Sequence, residues 1–282
     1  MAITLITDSA ADFELHELKE KNIISVPMTI TFGEHGYHDG IDLSKSEFYA
    51  KLSDGVYPST AQPSPLDFLK HFKKAKEAGN SVVAILLSSS LSGTVQSANI
   101  AKNMLGYDDI YIIDSLSAVT GQRMLVDIAN QMRADGELAG LIAEKIEELK
   151  HRLKIIAIVD TLRYLYEGGR LSKAQAMIGN IAHLKPIISV HADGKVTLAE
   201  KCIGTGRAMK KLISIFEGDY IDHDYPVYFP YSHNISNCSK LFDTVKDRHP
   251  GLEKNFYNLG PTIGSHIGEN AFGFTYILGE SK

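Results

Sequence analysis

The sequence predicts an α/β protein of two domains, and two patterns carry the prediction. In the first half, β-rich runs at 3–7, 81–87 and 110–114 each lead through small residues into a segment with helical spacing of apolar residues. This order is typical of a parallel sheet with helices on its faces. In the second half it gives way to a hairpin, helices and separate strands. We therefore predict an N-terminal parallel-sheet α/β domain over 1–155 and a C-terminal α+β domain over 156–282.

Length and composition agree with a folded protein of this kind. The 282 residues are enough for two domains, and their 44% hydrophobic and 22% charged content is typical of a globular chain. A net charge of −5 with dispersed basic residues argues against nucleic-acid binding. The two cysteines, Cys202 and Cys238, form neither a disulfide framework nor a zinc motif. Because the chain shows no signal-peptide pattern and no apolar run of the ~20 residues that span a bilayer, we expect a cytoplasmic protein without an integral membrane segment.

The early strands of the N-terminal domain are each followed by a helix. The run 3–7 precedes apolar residues at helical spacing over 11–21, and the next two strands precede helices over 94–105 and 121–136. Ligands of parallel sheets lie beyond the carboxyl ends of the strands. We therefore expect binding residues in the polar turns at these ends.

Residues 24–62 interrupt this order as an insertion. Two alternating strands surround a turn at 33–36, which predicts a β-hairpin. The stretch 57–65 contains three prolines, so we predict a rigid connection there rather than a central strand. A helix is expected to begin near Pro65.

The second half begins after a charged amphipathic helix over 140–154, and we place the domain boundary near residue 155. The elements that follow have the mixed order of an α+β domain. They are a strand at 155–160, a hairpin over 184–201, helices near 205–217 and 235–249, and strands at 225–232 and 272–278.

Five hydroxyl residues follow the apolar strand at 81–87: Ser88, Ser89, Ser90, Ser92 and Thr94. One interpretation is that Ser92 or Thr94 caps the next helix. A second is that hydroxyls and free N–H groups at this helix start hold a carboxylate or phosphate, which Gly93 allows to approach the backbone. A third is nucleophilic catalysis by Ser92, although the stretch lacks the first glycine of the G-x-S-x-G elbow of hydrolases.

Asp8 and Asp12 follow the first strand. Phosphoryl-accepting aspartates usually have a second acid two residues on, where this chain has Ala10. We therefore interpret Asp8 and Asp12 as helix caps and local pairing partners. No phosphate loop of the form G-x-x-x-x-G-K-[ST] occurs, so nucleotide binding lacks support.

His266 and Arg170 are two further candidates. His266 lies among Gly264, Gly268 and Gly273, which bring the backbone close to a neighbour, and both a structural and a functional role stay open. The other ten histidines lack metal-ligand spacing, so we expect no metal site. Arg170 follows a Gly-Gly turn, where an arginine can hold an anion, pair with an acid of a partner or brace the domain junction.

Seven stretches occur in one order along nearly the whole chain: ITDSAADF, YHDGIDLSKSEFY, YPSTAQPSP, SSSLSGTVQSA, IIDSLSAVTGQ, TLRYLYEGGRLS and HIGENAFG. Their order and spacing resemble those of the DegV family, the fatty-acid-binding subunits of the bacterial fatty-acid kinase. Each stretch alone is a weak motif, but the seven together are specific.

The resemblance implies a two-domain DegV-like fold with a ligand tunnel between the domains, and a carrier rather than a free-standing enzyme. Family members enclose one long-chain fatty acid and present its carboxylate to a separate ATP-dependent kinase subunit, which makes the acyl phosphate. No cofactor is implied, and transient membrane contact is compatible with this role. The family's carboxylate-binding residues correspond to Thr60, Ser92 and His266. Candidates near the ligand are Ala61, Gln62, Gly93, Thr94, Ser265 and Gly268, and candidates for docking the kinase are Arg170 and Arg207.

The chain departs from the family pattern at two places. Ala61 stands where the family commonly has a second hydroxyl, and Glu269 and Asn270 replace a Pro-Gly pair. A carboxylate near the ligand mouth would disfavour an anion unless it points away or pairs with a base.

The physical chemistry of a fatty acid fits these residues. Each buried methylene contributes ~0.8 kcal/mol, so fourteen give on the order of 10 kcal/mol before ordering and desolvation costs. The tail then supplies affinity, while neutral hydroxyls and an imidazole that can carry charge orient the carboxylate. Candidate tail-contacting residues are Leu91, Ile178, Ile181, Ile187 and Phe272. The alternatives are a stand-alone hydrolase or transferase that acts on a lipid or acyl substrate through Ser92 with His266 as base, and an interaction module whose polar loops are all caps.

Overall fold

The computed structural model describes residues 2–176 and 182–280. Its strands are β1 (Ile3–Asp8), β2 (Ile23–Val26), β3 (Thr29–Phe32), β4 (His35–His38), β5 (Ser59–Ala61), β6 (Ser81–Leu86), β7 (Ile110–Asp114), β8 (Leu153–Ile158), β9 (Leu184–Val190), β10 (Val196–Ile203), β11 (Phe229–Tyr231), β12 (Phe256–Asn258) and β13 (Phe272–Ile277).

The helices connect these strands and cover their sheets. They are α1 (Leu15–Glu20), α2 (Lys45–Ser53), α3 (Pro65–Glu77), α4 (Thr94–Leu105), α5 (Val119–Ala134), α6 (Ala139–Leu149), α7 (Arg163–Glu167), α8 (Lys173–Ala176), α9 (Thr205–Gly218), α10 (Ser236–Val245) and α11 (Pro261–Ile267). Local sequence explains their starts. In α3, Ser64 and Asp67 form a capping box and Pro65 takes the first helical position, as the sequence predicts.

A four-stranded parallel sheet forms the first half, in the order β2-β1-β6-β7. Every residue of the central strand β6 is buried, because helices cover both of its faces. Val83 and Ile85 pack on the side of α5 and α6, while Val82 and Ala84 pack on the side of α3 and α4. The predicted parallel α/β architecture is confirmed.

A six-stranded mixed sheet forms the second half, in the order β10-β9-β8-β13-β11-β12. One face packs against α9 and α10 through a cluster that includes Ile156, Phe216 and Leu241. The other face presents Ile155 and Ile188 toward the elements of the first half. The predicted α+β architecture is confirmed, while the boundary near residue 155 stays a prediction.

The insertion differs from its prediction in two ways. Ile23–Val26 is a parallel edge strand of the main sheet rather than part of the hairpin. Ser59–Ala61, predicted to belong to a rigid connection and not to a central strand, forms a three-residue edge strand that pairs with β3 through Thr60 and Ile30. Prolines are tolerated beside such a strand because an edge leaves ladder groups unpaired. This edge strand fixes the position of Thr60.

A C-terminal segment crosses back to the first half and joins the two sheets. The guanidinium of Arg123 on α5 lies between the rings of Phe13 and Tyr257, 4.1 Å from each centroid. Arg123 is 1% exposed and donates to the carboxylate of Glu17. The phenol of Tyr49 on α2 donates to the carbonyl of Leu259 at 3.0 Å. Side chains of the first half therefore hold the segment that leads into α11.

We expect Arg123→Ala to lower the free energy of unfolding by about 3 kcal/mol, because it leaves a partly buried carboxylate without its partner. Chemical denaturation measures the change. Lys73→Ala, which removes a solvent-exposed partner of Glu77, serves as the control and should change stability by less than about 0.5 kcal/mol. Equal losses for the two variants would contradict the joining role of Arg123.

Candidate functional site

A cavity of about 380 Å³ lies between the parallel sheet and the mixed sheet. The first half contributes Leu87 and Leu91, which follow the carboxyl end of β6, and the second half contributes Ile155 and Ile188 from the mixed sheet. Its volume falls in the range of about 300–1,000 Å³ that is usual for small-molecule sites. Its position beyond the strand ends is where ligands of such sheets bind.

Most of the cavity wall is apolar. Alternate residues of β8 and the residue that follows it, Ile155, Ala157 and Val159, all face the cavity, because side chains of a strand alternate between its two faces. The remaining apolar lining residues are Met28, Ala61, Leu87, Leu91, Ala118, Val119, Leu165, Ile188, Val190, Val196, Pro230, Leu259, Ile263, Ile267, Ala271 and Phe272. A long alkyl chain matches such a wall.

Six polar residues complete the lining: Thr60, Gln62, Ser92, Arg170, Thr262 and His266. Among the described residues, no carboxylate lines this cavity, and Arg170 is its one permanent cation. The electrostatic character of the polar groups therefore favours an anionic head group over a cationic one.

Thr60 and His266 are brought together from distant parts of the chain. Thr60 Oγ1 lies 2.9 Å from His266 Nε2, so the edge strand β5 and helix α11 meet at this point. The other ring nitrogen, Nδ1, is buried and has no hydrogen-bond partner in the part of the chain that the structure describes. The tautomer with its proton on Nε2 leaves no donor unpaired. In that tautomer the Thr60 hydroxyl keeps its own proton for a ligand.

Burial, together with the positive charge of Arg170, lowers the pKa of His266 to about 4. The ring is therefore neutral at pH 7 in the ligand-free protein. An anion bound beside it would raise this pKa, because a negative charge stabilises the imidazolium.

Ser92 lies directly before α4 and does not cap it. Its Oγ is 2.9 Å from Thr94 Oγ1, and the N-cap of α4 is Gly93, without a side-chain cap bond. The capping interpretation of Ser92 and Thr94 is therefore wrong. The Gln62 side chain covers Gly93, since a Cβ at residue 93 would lie 2.2 Å from the Gln62 amide oxygen. The space beside the Gly93 backbone, which was assigned to a ligand from the sequence, is therefore occupied by a side chain of the protein.

The hydrolase alternative needs a serine–histidine pair, which the geometry does not form. Ser92 pairs with Thr94, and His266 Nε2 pairs with Thr60. Within the described residues no carboxylate bonds His266 Nδ1 to orient the ring as a base. The structure therefore does not favour nucleophilic catalysis by Ser92.

Arg170 bridges the two halves at the cavity. Its Nε donates to the carbonyl of Leu91 at 2.9 Å, and its Nη1 donates to the carbonyl of Gly168. Burial lowers the pKa of its guanidinium below the ordinary value. The bracing interpretation agrees with these contacts, and its place in the wall leaves an anion-binding role open. Arg207, by contrast, is exposed at the start of α9 and does not line the cavity.

The remaining candidates near His266 point away from the cavity. Ser265 Oγ donates to the Pro261 carbonyl of its own helix at 2.7 Å. Gly268 adopts a positive φ of 72°. The Tyr164 ring occupies the space that a Cβ at residue 268 would need. Neither residue lines the cavity, and neither do Gly93 and Thr94.

Of the two departures from the family pattern, Ala61 lines the cavity, whereas the Glu269–Asn270 pair lies outside its wall. Glu269 accepts a hydrogen bond from the Ser53 hydroxyl at 2.5 Å, so its carboxylate points away from the cavity. Asn270 adopts the left-handed conformation with φ 61° and donates to Asp160 at 3.0 Å. Asparagine tolerates that conformation better than most residues, which accounts for its place in a turn where the family has glycine.

Only some of the predicted tail-contacting residues lie at the cavity. Leu91 and Phe272 line the cavity, but Ile187 packs against α9 and α10 on the opposite face of its strand, and Ile188 lines the cavity in its place. Ile178 and Ile181 lie outside the described residues.

No element was assigned from the sequence to the glycine-containing segment around His266, whereas Pro261–Ile267 forms helix α11. Ile263, His266 and Ile267 recur at the spacing of one helical face, and Pro261 takes the first helical position. Those two signals could have predicted the helix. Among the described residues, no group of three or more His, Cys, Asp or Glu side chains suits a metal ion, and no helix is long and apolar enough to cross a membrane.

Comparisons with known proteins agree with this architecture. The family model described as "Uncharacterised protein, DegV family" matches residues 2–278, and the chain belongs to the DegV family. It is 37% identical to a DegV domain-containing protein of Caldanaerobacter subterraneus over 220 residues, 78% of each chain. It is 31% identical to Protein DegV of Bacillus subtilis over 289 residues, covering 99% of this chain and 100% of that one.

Solved structures of the family are similar to it as well. A DegV family protein from Thermus thermophilus, described by its fatty acid binding, matches with a TM-score of 0.88 and 28% identity over 99% of this chain and 100% of that chain. A stearic acid-binding protein from Eubacterium ventriosum matches with a TM-score of 0.85 and 25% identity over 99% and 98% of the two chains. The predicted DegV-like fold is confirmed.

We expect the His266 imidazole to stay neutral in the ligand-free protein down to about pH 4. Because an unfolded histidine titrates near 6.5, the unfolded state binds the proton first as the pH falls. This group therefore contributes stability above pH 6.5 that is lost between about 6.5 and 4. An NMR titration of the ring measures the midpoint, and a midpoint close to 6.5 would contradict the buried environment described for His266.

Proposed function

We propose that the protein binds one long-chain fatty acid in the cavity and presents its carboxylate to a separate ATP-dependent kinase subunit for acyl-phosphate formation. The observation that carries the proposal is the division of the cavity, as far as the described residues line it, into an apolar wall and a small polar group without a carboxylate. The fatty acids bound by related proteins support it. We place this exchange in the cytoplasm, with transient membrane contact as the route by which the lipid enters or leaves.

The apolar volume favours an occupant. Contact with water is unfavourable for the apolar side chains around this volume of about 380 Å³, and the penalty grows with the apolar area that water reaches. Water is a poor filling because the wall offers few hydrogen-bond partners. An alkyl chain removes the penalty and gains its own burial energy.

The head group is oriented by neutral donors. The hydroxyls of Thr60 and Ser92 each donate one hydrogen bond, and an anion near His266 raises the pKa of that ring from about 4. Arg170 adds positive charge, but its guanidinium also donates to the Leu91 and Gly168 carbonyls, so it is not a free clamp. A weakly neutralised carboxylate keeps the electron density that it needs as a nucleophile.

The polar end of the cavity is accessible from outside. Ala61 and Gln62 line the cavity and are exposed to solvent, so the carboxylate lies near the surface. A partner that holds ATP reaches it there: a carboxylate oxygen attacks the γ-phosphorus, the bond to the β-phosphate oxygen breaks, and ADP leaves. The chain itself supplies the bound and oriented acid and no phosphoryl donor.

Mass spectrometry of lipid extracted from the purified chain tests the carrier role. We expect one long-chain fatty acid per chain, and no turnover of esters or of ATP by the chain alone. An extract without fatty acid from a chain that also fails to take up added fatty acid would refute the proposal. Ester hydrolysis by the pure chain would support the serine-dependent alternative.

We expect Ser92→Ala to weaken fatty-acid binding about tenfold or more, because a hydrogen bond to a charged group contributes about 1.5–3 kcal/mol. Competition with a fluorescent fatty acid measures the affinity. Ser90→Ala is the matched control, since Ser90 bonds the Asp193 carbonyl and does not line the cavity. An unchanged affinity in Ser92→Ala, with a fold as stable as the wild type, would remove Ser92 from the site.

A further inference from the structure

Two buried carboxylates from the first half of the chain hold the start of helix α11. Asp12 Oδ1 accepts the N–H of Gly260 at 2.7 Å. Asp39 Oδ2 accepts the N–H of Thr262 at 3.2 Å and also the Thr262 hydroxyl. Asp12 and Asp39 are each 5% exposed. These bonds connect residues more than 220 positions apart in the sequence, so the local role predicted for Asp12 is wrong.

The helix that they hold carries much of the polar end of the cavity. Thr262, Ile263, His266 and Ile267 all lie on α11 and line the cavity. A helix of seven residues has few hydrogen bonds of its own, so contacts from outside determine where it lies. A shift of α11 would move His266 away from Thr60, which belongs to the separate strand β5.

Packing leaves the helix little freedom on its other side. Gly264 lies against α2, where a Cβ would be 2.5 Å from the Phe48 ring. The carboxylates therefore act at the one end of α11 where polar contacts decide its position. They do so at a cost, because two ionisable carboxyl groups are buried there.

The charges around the pair do not remove that cost. Burial raises the pKa of Asp12 to about 7, with Asp39 adding to the effect and Lys45 and Arg123 opposing it. Burial also raises the pKa of Asp39. Asp8 and the phenol of Tyr49 are the further titratable groups that interact with the pair. Asp12 Oδ2 is buried without a hydrogen-bond partner among the described residues.

We infer that Asp12 and Asp39 are positioning residues for the carboxylate site, because they fix α11 so that His266 faces Thr60. This inference rests on the proposed function, in which Thr60 and His266 hold the fatty-acid head. Perturbed carboxyl groups that are buried at a structural cost are often found where function requires them.

An affinity series with paired substitutions tests the role. Asp12→Ala and Asp39→Ala remove the accepting oxygens and should weaken fatty-acid binding about tenfold or more. Asp12→Asn keeps a carbonyl oxygen for the Gly260 N–H and should bind within about threefold of the wild type. Asp219→Ala is the matched control. It also deletes a partly buried carboxylate with two partners, Lys154 and Tyr276, but lies outside the cavity wall, and should lower the melting temperature without changing affinity.

The dependence of fatty-acid affinity on pH tests the same role without requiring that the alanine variants fold. In the anchored state, in which Asp12 accepts the Gly260 N–H, the pKa of Asp12 is raised from 3.8 to about 7. Asp12 therefore holds a proton in this state that it would release in a detached state, in which α11 has moved away and the carboxyl group is solvated. Raising the pH from 6 to 8 therefore weakens the anchor and the affinity in the wild type. Asp12→Asn has no proton to release, so its fatty-acid affinity should not show the loss between pH 6 and 8 that comes from Asp12. Any pH dependence of the affinity that comes from His266 is the same in the wild type and in Asp12→Asn.

NMR titration of His266 in the ligand-free protein separates the two proposals. If α11 shifts, the ring gains solvent and its pKa rises from about 4 toward 6.5 in the alanine variants. A wild type that binds no fatty acid would refute the proposed function, and the titration would still decide the positioning role. Asp12→Asn with the pH profile of the wild type, or alanine variants with unchanged affinity and unchanged His266 titration, would overturn the inference.

Discussion

The space between the two sheets is the constraint on which the rest of the structure depends. Helices pack on both faces of the parallel sheet and on the outer face of the mixed sheet, where Phe72 and Phe216 respectively are fully covered. The carboxyl end of the parallel sheet and the inner face of the mixed sheet instead leave about 380 Å³ between them. A protein interior does not keep such a volume without cause, because close packing is the normal state of a core. This apolar volume, rather than any single side chain, is the observation on which the proposed carrier role rests.

Keeping that space open requires ties between the halves, and these ties also assemble the polar end. Arg123 is held between aromatic rings of the two halves, and Arg170 joins the loop after α7 to the Leu91 carbonyl. Because α11 crosses back to the first half, Thr60 and His266 meet although 206 positions separate them. Contacts between the halves therefore bring together Thr60 and His266, the residues proposed to hold the head group.

The sequence was sufficient for features that depend on local patterns and insufficient for those that depend on tertiary pairing. Strand–turn–helix repeats predicted the parallel sheet, and the serine-rich turn after β6 predicted a site at its carboxyl end. Which face of β9 lines the cavity could not be predicted, since a shift of one residue exchanges Ile187 for Ile188 and only the paired register decides between them. The edge strand around Thr60 exists only because β3 offers it a partner. Asp12 carries no local sign of its bond to Gly260.

The most direct test of the account is a crystal structure of the chain grown with an eighteen-carbon fatty acid. The account predicts one continuous alkyl chain between the two sheets, with its carboxylate within hydrogen-bond distance of Thr60 and near Ser92 and His266. A lipid bound on the outer surface, or side chains that close the space between the sheets, would contradict it.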